Sequence, residues 1–455
     1  MKKVLLTAAM LTTVGSSFAD DSKIKQLEEQ IKLLQQQIEE LKKEQQQQKV
    51  VKEETEVLKE EIRQLKLENV IGELEVKPYY GLGPAASKAM FNKKGVSIGG
   101  YGELTFVRND AATGSKNITD MQRLILYLGY AFNEKLKFNS EIELEHSSTN
   151  ANHGNGGGYY KTEMAFLDYN FSEKFGVRGG LLLIPIGIIN EYHEPPTFPT
   201  AQRPFLETRL LLSTWEEMGF GAYGKLGNLD YKFYITNGLM IAGNGSYSST
   251  QPLKNLIQRG ARASADGVGF TGKIEYNLPS NLKIGGSFWT GDVVSKGGTT
   301  SKLGLRNGAD LGDITIISPY IWYQHNGWDI RAVGAYTKVN NGEKISQDIG
   351  VDKTKDGFPK EQKGFYTQIA YNIFRLTDIT NQELYLFGVY ENIDTHSAIP
   401  IGYTKPAGHK LQVFNIGFSY KPHPLVALKA DYARLDYNKN KKDENHYRFT
   451  LGFMF

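Results

Sequence analysis

The last ten residues alternate strictly between two chemical classes, and this alternation constrains the fold more than any other feature. One class is large and apolar or aromatic: Tyr447, Phe449, Leu451, Phe453 and Phe455. The other is mostly polar or small: His446, Arg448, Thr450, Gly452 and Met454. Because successive side chains of a strand point to opposite faces, this segment predicts a strand with one apolar face. An apolar strand is a liability at a sheet edge, whereas a closed barrel in lipid has no edge, so the pattern favours a membrane β-barrel.

The N-terminal segment 1–19 has the pattern of an export signal. Lys2 and Lys3 precede a short apolar run, and small residues at Ser17 and Ala19 predict cleavage after Ala19. The apolar run is too short for a membrane-spanning helix. The chain has no cysteine, which excludes disulfides, zinc–thiolate sites and cysteine nucleophiles. Its net charge of +3 indicates no charged partner, and nucleic acid is not expected.

Residues 20–70 predict a periplasmic coiled coil. Isoleucine and leucine alternate at 3-4 spacing through Ile24, Leu27, Ile31, Leu34, Ile38 and Leu41. After a run of glutamines the pattern resumes at Leu58, Ile62 and Leu65, three residues out of phase, as in a stammer. Two- and three-stranded coils both fit this seam, and a charged single helix or a disordered spacer is the alternative. Residues 71–94 contain Gly72, Pro78, Gly81, Gly83 and Pro84 and predict a linker.

Residues 95–455 contain sixteen strand-length runs, each near the ten or so residues that a tilted membrane strand needs. The connections after even-numbered runs are short, as at 326–327, and those after odd-numbered runs are long, as at 107–119 and 184–214. Bacterial outer-membrane barrels have this asymmetry, with their short turns in the periplasm. A soluble β-sandwich gives no reason for it. The predicted fold is therefore all-β: a sixteen-stranded antiparallel transmembrane barrel in the outer membrane, preceded by the coiled coil.

The polar faces of the strands predict a water-filled lumen. A lysine or arginine that faces mid-bilayer lipid costs roughly 2–4 kcal/mol, so several charges on one strand must face water. Glu163 shares its parity with the outward Leu167 and Tyr169, which predicts a position at the outer rim. The predicted lumen-lining residues are Glu103, Arg123, Lys137, Glu141, Glu143, Glu145, Asp168, Arg178, Glu217, Lys273, Arg331, Lys429, Asp431 and Arg448, with Lys232, Glu275 and Lys283 as further members.

The third long connection, 184–214, is the candidate for setting selectivity. It contains five prolines, which fix an irregular path, and long connections without periodicity are usually functional or disordered. Folded into the lumen, it would narrow the pore and present charges of both signs. The alternative is an external loop with solvated charges. The predicted constriction residues are Glu191, His193, Glu194, Arg203, Glu207 and Arg209.

Several short motifs of the barrel region carry a family resemblance. They are Gly100-Tyr-Gly-Glu103, Pro185-Ile-Gly187, Glu194-Pro-Pro-Thr-Phe198, Arg203-Pro204, Thr214-Trp-Glu-Glu-Met-Gly219 and Tyr420-Lys-Pro-His-Pro-Leu425, with the terminal Phe455. These motifs resemble those of sixteen-stranded outer-membrane porins, in particular the phosphate-selective porin O/P superfamily and its coiled-coil-bearing relatives. The resemblance implies a homotrimer of pores, an inward third loop and recognition of Phe455 by the barrel assembly machinery. It does not imply phosphate selectivity, because this lumen mixes both charge signs, which predicts weak ion selectivity.

The sequence thus predicts a diffusion channel for small hydrophilic solutes or ions, with no catalytic residue, cofactor or metal. Its expected partners are copies of itself, outer-membrane lipid and, through the stalk, peptidoglycan. One alternative is a structural tether whose barrel only anchors the stalk. Another is an enzyme on an outer-membrane barrel, although the eight histidines fall in no metal-ligand spacing and beside no nucleophile motif.

Overall fold

The computed structural model describes residues 21–65, 77–111, 114–148, 157–242, 247–377, 379, 381–438 and 441–455. The predicted signal, 1–19, and residues 71–76 of the predicted linker lie outside these ranges. The chain forms two compact units, Met1–Asn69 and Val70–Phe455. Among the described residues, every helix is too short or too polar to cross a lipid bilayer.

The described part of the first unit, residues 21–65, forms a helix, α1, Asp21–Leu65. It has no glycine or proline and consists mostly of strong helix formers, which explains its length. Four residues of the predicted seam are exposed in the single chain: Ile31 (53%), Leu34 (55%), Ile38 (45%) and Leu41 (58%). The side chains of the other seam residues, Ile24, Leu27, Leu58, Ile62 and Leu65, lie outside the described part. An exposed apolar seam is what a coiled coil buries against a partner, and self-association stays a prediction.

The second unit is a closed barrel. Its strands are β1 Gly95–Ala111, β2 Gly114–Ala131, β3 Leu136–Glu145, β4 Tyr160–Ser172, β5 Phe175–Leu183, β6 Glu216–Leu226, β7 Leu229–Asn237, β8 Leu239–Ile241, β9 Val268–Leu278, β10 Leu282–Ser295, β11 Ala309–His325, β12 Trp328–Val339, β13 Glu361–Asn372, β14 Glu383–Ala398, β15 Lys410–His423, β16 Val426–Tyr437 and β17 Glu444–Met454. The short β8 lies parallel to β10, and the other sixteen strands pair antiparallel around a ring that β1 and β17 close. The predicted sixteen-stranded antiparallel barrel is confirmed.

The closing seam joins the last strand to the first. Backbone N–H groups of Gly100 and Phe455 donate to each other's carbonyl oxygens at 3.0 and 2.9 Å. Tyr447 and Phe449 are exposed on the outer face at 47% and 43%, whereas Arg448 on the inner face is 4% exposed. The alternation along the last strand therefore separates an apolar exterior from a polar interior, as predicted.

The predicted long connection at 107–119 is wrong. Strand β1 continues to Ala111 and β2 begins at Gly114, so this hairpin extends well beyond the predicted strand ends. Polar side chains hold it together: Arg108 Nε donates to Asp110 Oδ1 at 3.0 Å, and Ser115 Oγ donates to the same oxygen at 2.6 Å. A strand needs alternation and paired backbone groups rather than apolar residues, so a polar hairpin can continue past the apolar belt.

The outward position predicted for Glu163 is also wrong. Glu141 pairs with Met164 and Ile142 pairs with Thr162, so Glu163 is the extra residue of a β-bulge in β4. A bulge interrupts the alternation of faces and re-aims side chains. Glu163 consequently points inward and is 0% exposed.

Where the structure describes the connections and the segment before β1, they contain three short helices: α2 Lys88–Phe91, α3 Phe205–Arg209 and α4 Gly342–Ile349. Single 3₁₀ turns occur at Pro195–Thr197, Lys254–Leu256, Pro279–Asn281, Gly298–Thr300 and Ile373–Leu376. Helix α2 lies in residues 77–94 and helix α3 in residues 184–215, and both of these segments pack inside the barrel.

Candidate functional site

The connection between β5 and β6, residues 184–215, lies inside the barrel and crosses it. Gly187 N–H donates to Ser287 Oγ of β10 at 3.0 Å. On another side, Lys429 Nζ of β16 donates to Thr200 O at 3.0 Å, and Thr450 Oγ1 of β17 donates to Ala201 O at 2.8 Å. We call this segment the inner loop. Its backbone is fixed to the wall at several points around the lumen.

Apolar packing holds one side of the inner loop. Leu206, Leu210 and Leu211 are 0% exposed, and the ring centroids of Trp215 and Trp289 are 5.2 Å apart. Burying one leucine side chain contributes about 1.5–3 kcal/mol, so this contact anchors the loop firmly. The side chains of the loop therefore form part of the barrel core on this side rather than a flexible external surface.

Glu191 anchors the inner loop electrostatically. Its carboxylate pairs with Lys273 Nζ at 2.6 Å and also contacts Lys232 Nζ. Burial would raise the pKa of Glu191, but the two ammonium groups outweigh burial and lower the pKa to about 2. Glu191 is thus ionised over the whole physiological pH range and neutralises wall lysines.

Residues 77–94, predicted as a linker, also pack inside the barrel; we call them the lumen segment. Asn139 Nδ2 of β3 donates to Ala86 O at 2.7 Å, and the backbone N–H groups of Ala85 and Ala86 donate to Glu194 Oε1 at 3.0 and 2.9 Å. Burial raises the pKa of Glu194 to about 7 despite these donors. The lumen segment and the inner loop therefore contact each other through Glu194.

Most charges on the inner wall are paired with a neighbour of opposite sign. Five of these pairs join Arg123 to Glu103 (3.2 Å), Arg178 to Asp168 (3.0 Å), Lys283 to Glu275 (3.0 Å), Arg331 to Asp329 (2.7 Å) and Arg448 to Asp431 (2.6 Å). Pairing cancels most of the field of each charge at a distance.

A polar cavity of about 290 Å³ remains between the inner loop and strands β1–β4, at the end of the barrel with the long connections. We call it the vestibule. Its charged lining consists of Arg123, Lys161, Arg203, Lys254 and Arg259 against Glu103 and Glu145. Burial, together with the nearby Arg259 and Arg203, lowers the pKa of Lys254 to about 8. Among the residues that line the vestibule, basic side chains therefore outnumber carboxylates.

No family model matches the sequence. Over 394 residues the chain is 53% identical to an uncharacterized protein of Aquifex aeolicus (strain VF5), and the match covers 86% of each chain. This chain belongs to the family of that protein. Among solved structures, it is similar to the anion-selective porin of Comamonas acidovorans, with 12% identity, a TM-score of 0.51, and coverage of 80% of this chain and 100% of the porin. It is also similar to OmpF of Salmonella typhi in complex with daunomycin, with 13% identity, a TM-score of 0.49, and coverage of 80% and 98%.

The similarity to the Comamonas porin supports the fold that the strand pairing shows, a porin-type barrel. The ion selectivity of this family member depends on its own residues, since at 12% identity only the fold is shared.

Of the six predicted constriction residues, only Arg203 lines the vestibule. His193 and Glu194 are buried at 2% and 1% exposure, as is Glu207, which accepts hydrogen bonds from Ile188 N–H at 3.2 Å and Tyr366 Oη at 3.3 Å. Arg209 lies over the Phe205 ring at 5.1 Å. These residues fix the shape of the inner loop, and their part in ion selectivity stays a prediction.

The predicted lumen-lining residues all lie on the inner wall, where most are covered rather than open to a wide lumen. Glu103, Arg123, Lys137, Glu141, Glu143, Asp168, Arg178, Glu217, Lys273, Arg331, Lys429, Asp431 and Arg448 are buried, and Glu145 is half-buried. The covering groups come from three segments: Met90 O of the lumen segment contacts Lys137 Nζ, Thr200 O of the inner loop accepts from Lys429 Nζ, and Gln258 N–H of the connection between β8 and β9 donates to Glu217 at 2.9 Å. Sequence alternation identified the inward face but carried no information about what covers it.

Sequence reasoning missed four charged residues of this region: Lys161, Glu163, Lys254 and Arg259. Alternation on β4 is the signal that could have pointed to Lys161, but the bulge at Glu163 reverses it. Lys254 and Arg259 lie in the irregular connection between β7 and β9, where no pattern predicts direction. The structure also brings Glu141, Glu163 and His193 together, although they are far apart in sequence.

Proposed function

We propose that this chain is an outer-membrane porin, a channel through which small hydrophilic solutes or ions diffuse. The observation that carries this proposal is the inner loop held inside a closed sixteen-stranded barrel, which leaves a charged vestibule beside it. A barrel of sixteen strands is wide enough to enclose an aqueous path, and an inward loop narrows that path. A barrel used only as an anchor would need neither feature.

The proposed channel prefers anions weakly. Five basic side chains line the vestibule against two carboxylates, and Arg203 extends from the loop rather than from the wall. A positive entrance raises the local concentration of anions. Phosphate specificity is not part of the proposal, because the wall charges are paired instead of forming a continuous basic ladder. In this proposal the chain shares the architecture of the coiled-coil-bearing relatives of the phosphate-selective O/P superfamily, but not their phosphate selectivity.

The biological setting belongs to the same proposal. The mature protein has its N-terminal stalk, which contains helix α1, in the periplasm and assembles as a homotrimer. The barrel assembly machinery recognises the terminal Phe455. The exposed seam of α1 supports self-association, and exposed apolar strand residues such as Phe220 (64%) and Ile416 (63%) support a lipid-facing exterior. The stalk, if it binds peptidoglycan, adds tethering to conduction. The activity is transport rather than catalysis.

Planar-bilayer recording tests the proposal. Purified full-length protein is expected to insert with stepwise conductance in multiples of three, and to give a small anion-selective reversal potential under a salt gradient. An identically purified preparation that has been heat-denatured serves as the control. Correctly folded, heat-modifiable protein that inserts into the bilayer and passes no current would overturn the channel and favour the tether.

A further inference from the structure

Three potential metal ligands meet between the inner loop and the barrel wall. They are Glu141 of β3, Glu163 at the bulge of β4 and His193 of the inner loop, and their ligand atoms lie within 4.8 Å of one another. Their exposed fractions are 0%, 0% and 2%. Buried carboxylates and an imidazole that converge from three separate elements are costly to bring together unless a cation holds them.

The hydrogen bonding of His193 determines which ring nitrogen is free. Its Nδ1 lies 3.0 Å from Asn190 O, a carbonyl that can only accept, so Nδ1 carries the proton. The Nε2 of a neutral ring then presents its lone pair to Glu141 Oε1 at 3.3 Å, which places two acceptors face to face. A metal-binding histidine has this arrangement: one nitrogen donates to a backbone carbonyl while the other meets the ion.

Each carboxylate has one oriented oxygen and one free oxygen. Lys161 Nζ and Thr214 Oγ1 hold Glu163 Oε1 at 2.6 and 2.7 Å, and Tyr127 Oη lies 3.3 Å from Glu141 Oε1. In the part of the chain that the structure describes, no donor reaches Glu163 Oε2 or Glu141 Oε2, and both atoms are buried. Buried carboxylate oxygens without a partner indicate a missing ligand or ion.

The local charges also favour a cation. The carboxylates in this region are Glu103, Glu141, Glu143, Glu163 and Glu216, and their basic partners within ion-pair distance are Arg123, Lys161 and Arg259. Arg203 is also near, but its Nη2 points to His193 O at 3.5 Å. Five carboxylates thus share three directly paired basic side chains, and Lys254 lines the neighbouring vestibule.

We propose that Glu141, Glu163 and His193 bind a divalent first-row transition ion, such as Zn²⁺, that fastens the inner loop to β3 and β4. One nitrogen and two carboxylate oxygens form a donor set that suits Zn²⁺ and its neighbours rather than Ca²⁺ or Mg²⁺. The 3.3 Å between His193 Nε2 and Glu141 Oε1 equals the separation of two tetrahedral ligands at about 2.0–2.1 Å from one ion.

Metal titration of the full-length protein in detergent tests this site directly. After chelator treatment and dialysis, Zn²⁺ and Co²⁺ are titrated separately, with calorimetry for affinity and visible absorption for the geometry of Co²⁺. We expect about one ion per chain and the intense Co²⁺ bands of a four-coordinate site. The variants Glu163→Gln and His193→Gln are expected to weaken binding by at least about 100-fold.

The control variants are His446→Gln and Glu275→Gln, which alter a buried histidine and a buried glutamate of the inner wall outside this cluster. Both are expected to bind as the parent chain does. Equal loss in the controls would overturn the proposal, as would the absence of stoichiometric binding to the unaltered chain. The second result would assign the cluster to a protonated Glu141 carboxyl that donates to neutral His193 or to Glu163. If a ligand variant fails to fold, X-ray absorption of the Zn²⁺-loaded parent chain decides the matter, since it must show imidazole and carboxylate donors. None of these measurements depends on conductance, so their failure would leave the porin proposal standing.

Discussion

Arg203 and Arg209 lie in the same loop but in different environments. Arg203 lines the vestibule, whereas the guanidinium of Arg209 stacks on Phe205 and donates to Tyr437 Oη at 3.3 Å. A unit charge about 10 Å from an ion in water changes its energy by about 0.4 kcal/mol, roughly a factor of two in its occupancy. Arg203→Ala is therefore expected to lower the anion-to-cation permeability ratio two- to fourfold.

Reversal potentials under a salt gradient measure this change, with Arg209→Ala as the matched control. Arg209→Ala removes the same charge from the same loop, but from a position covered by aromatic rings, so a much smaller shift is expected. The assignment of the vestibule as the ion path would fail if Arg209→Ala shifted the potential as much as Arg203→Ala, or if neither shifted it.

Glu207 gives the inner loop a dependence on pH. Burial raises its pKa to about 7 from an ordinary 4.5. Below pH 4.5 the carboxyl is neutral in both folded and unfolded chains, and its contribution to stability is fully present. As the pH rises to about 7 the unfolded chain ionises first, so the free energy of unfolding falls by up to about 3 kcal/mol. Glu207→Gln should flatten this dependence.

The thermal unfolding midpoint in detergent, recorded between pH 4 and pH 8, measures the effect. The parent chain is expected to lose stability across this range more steeply than Glu207→Gln. Glu343→Gln on the exposed face of α4 is the control and should follow the parent chain. Parallel curves for the parent chain and Glu207→Gln would show that the neutral carboxyl of Glu207 does not contribute.

Individual strands were predictable because each one has lipid on its outer face and polar groups of the barrel interior on its inner face. On β13, Phe365 (44%) and Ile369 (55%) are exposed, while Tyr366 and Gln368 between them are 1% exposed. Lipid on one side and polar groups on the other impose a period of two that needs no tertiary information. The number of strands, their antiparallel order and the closing seam all followed from this local pattern.

Other elements depend on register and on distant contacts, which alternation does not encode. The bulge at Glu163 exists only in relation to its partner strand β3. The lumen segment has the composition of a linker, and its small residues such as Ala85 and Ala89 are buried because the barrel surrounds them. The cluster of Glu141, Glu163 and His193 combines both effects, since it needs the bulge and the inward loop together. Sequence spacing therefore could not predict it.

Within the described ranges, apolar side chains are exposed on the barrel exterior and on helix α1, and these two surfaces call for different partners. The barrel exposes apolar side chains on alternate positions of its strands, the pattern that lipid covers. The helix α1 exposes a narrow stripe at heptad spacing, and its other surface is mostly charged or polar. A narrow stripe on a charged helix suits another copy of the same helix rather than lipid.

Polar substitution of the stripe should weaken the oligomer without altering the pore. In a coiled coil, burial of Ile31 and of Ile38 would each stabilise the oligomer by about 1.5–3 kcal/mol per chain. The double variant Ile31→Asn with Ile38→Asn would lose both contributions in every chain. The temperature at which the oligomer dissociates, followed by gel mobility and light scattering in detergent, is expected to fall clearly.

Leu33→Asn is the matched control, because Leu33 is exposed to a similar extent (59%) but lies off the stripe. The single-channel conductance of the double variant should match that of the parent chain, since the barrel closes through β1 and β17 alone. An equal loss of oligomer stability in Leu33→Asn would refute the coiled coil, and a changed unit conductance would mean that the stalk shapes the pore.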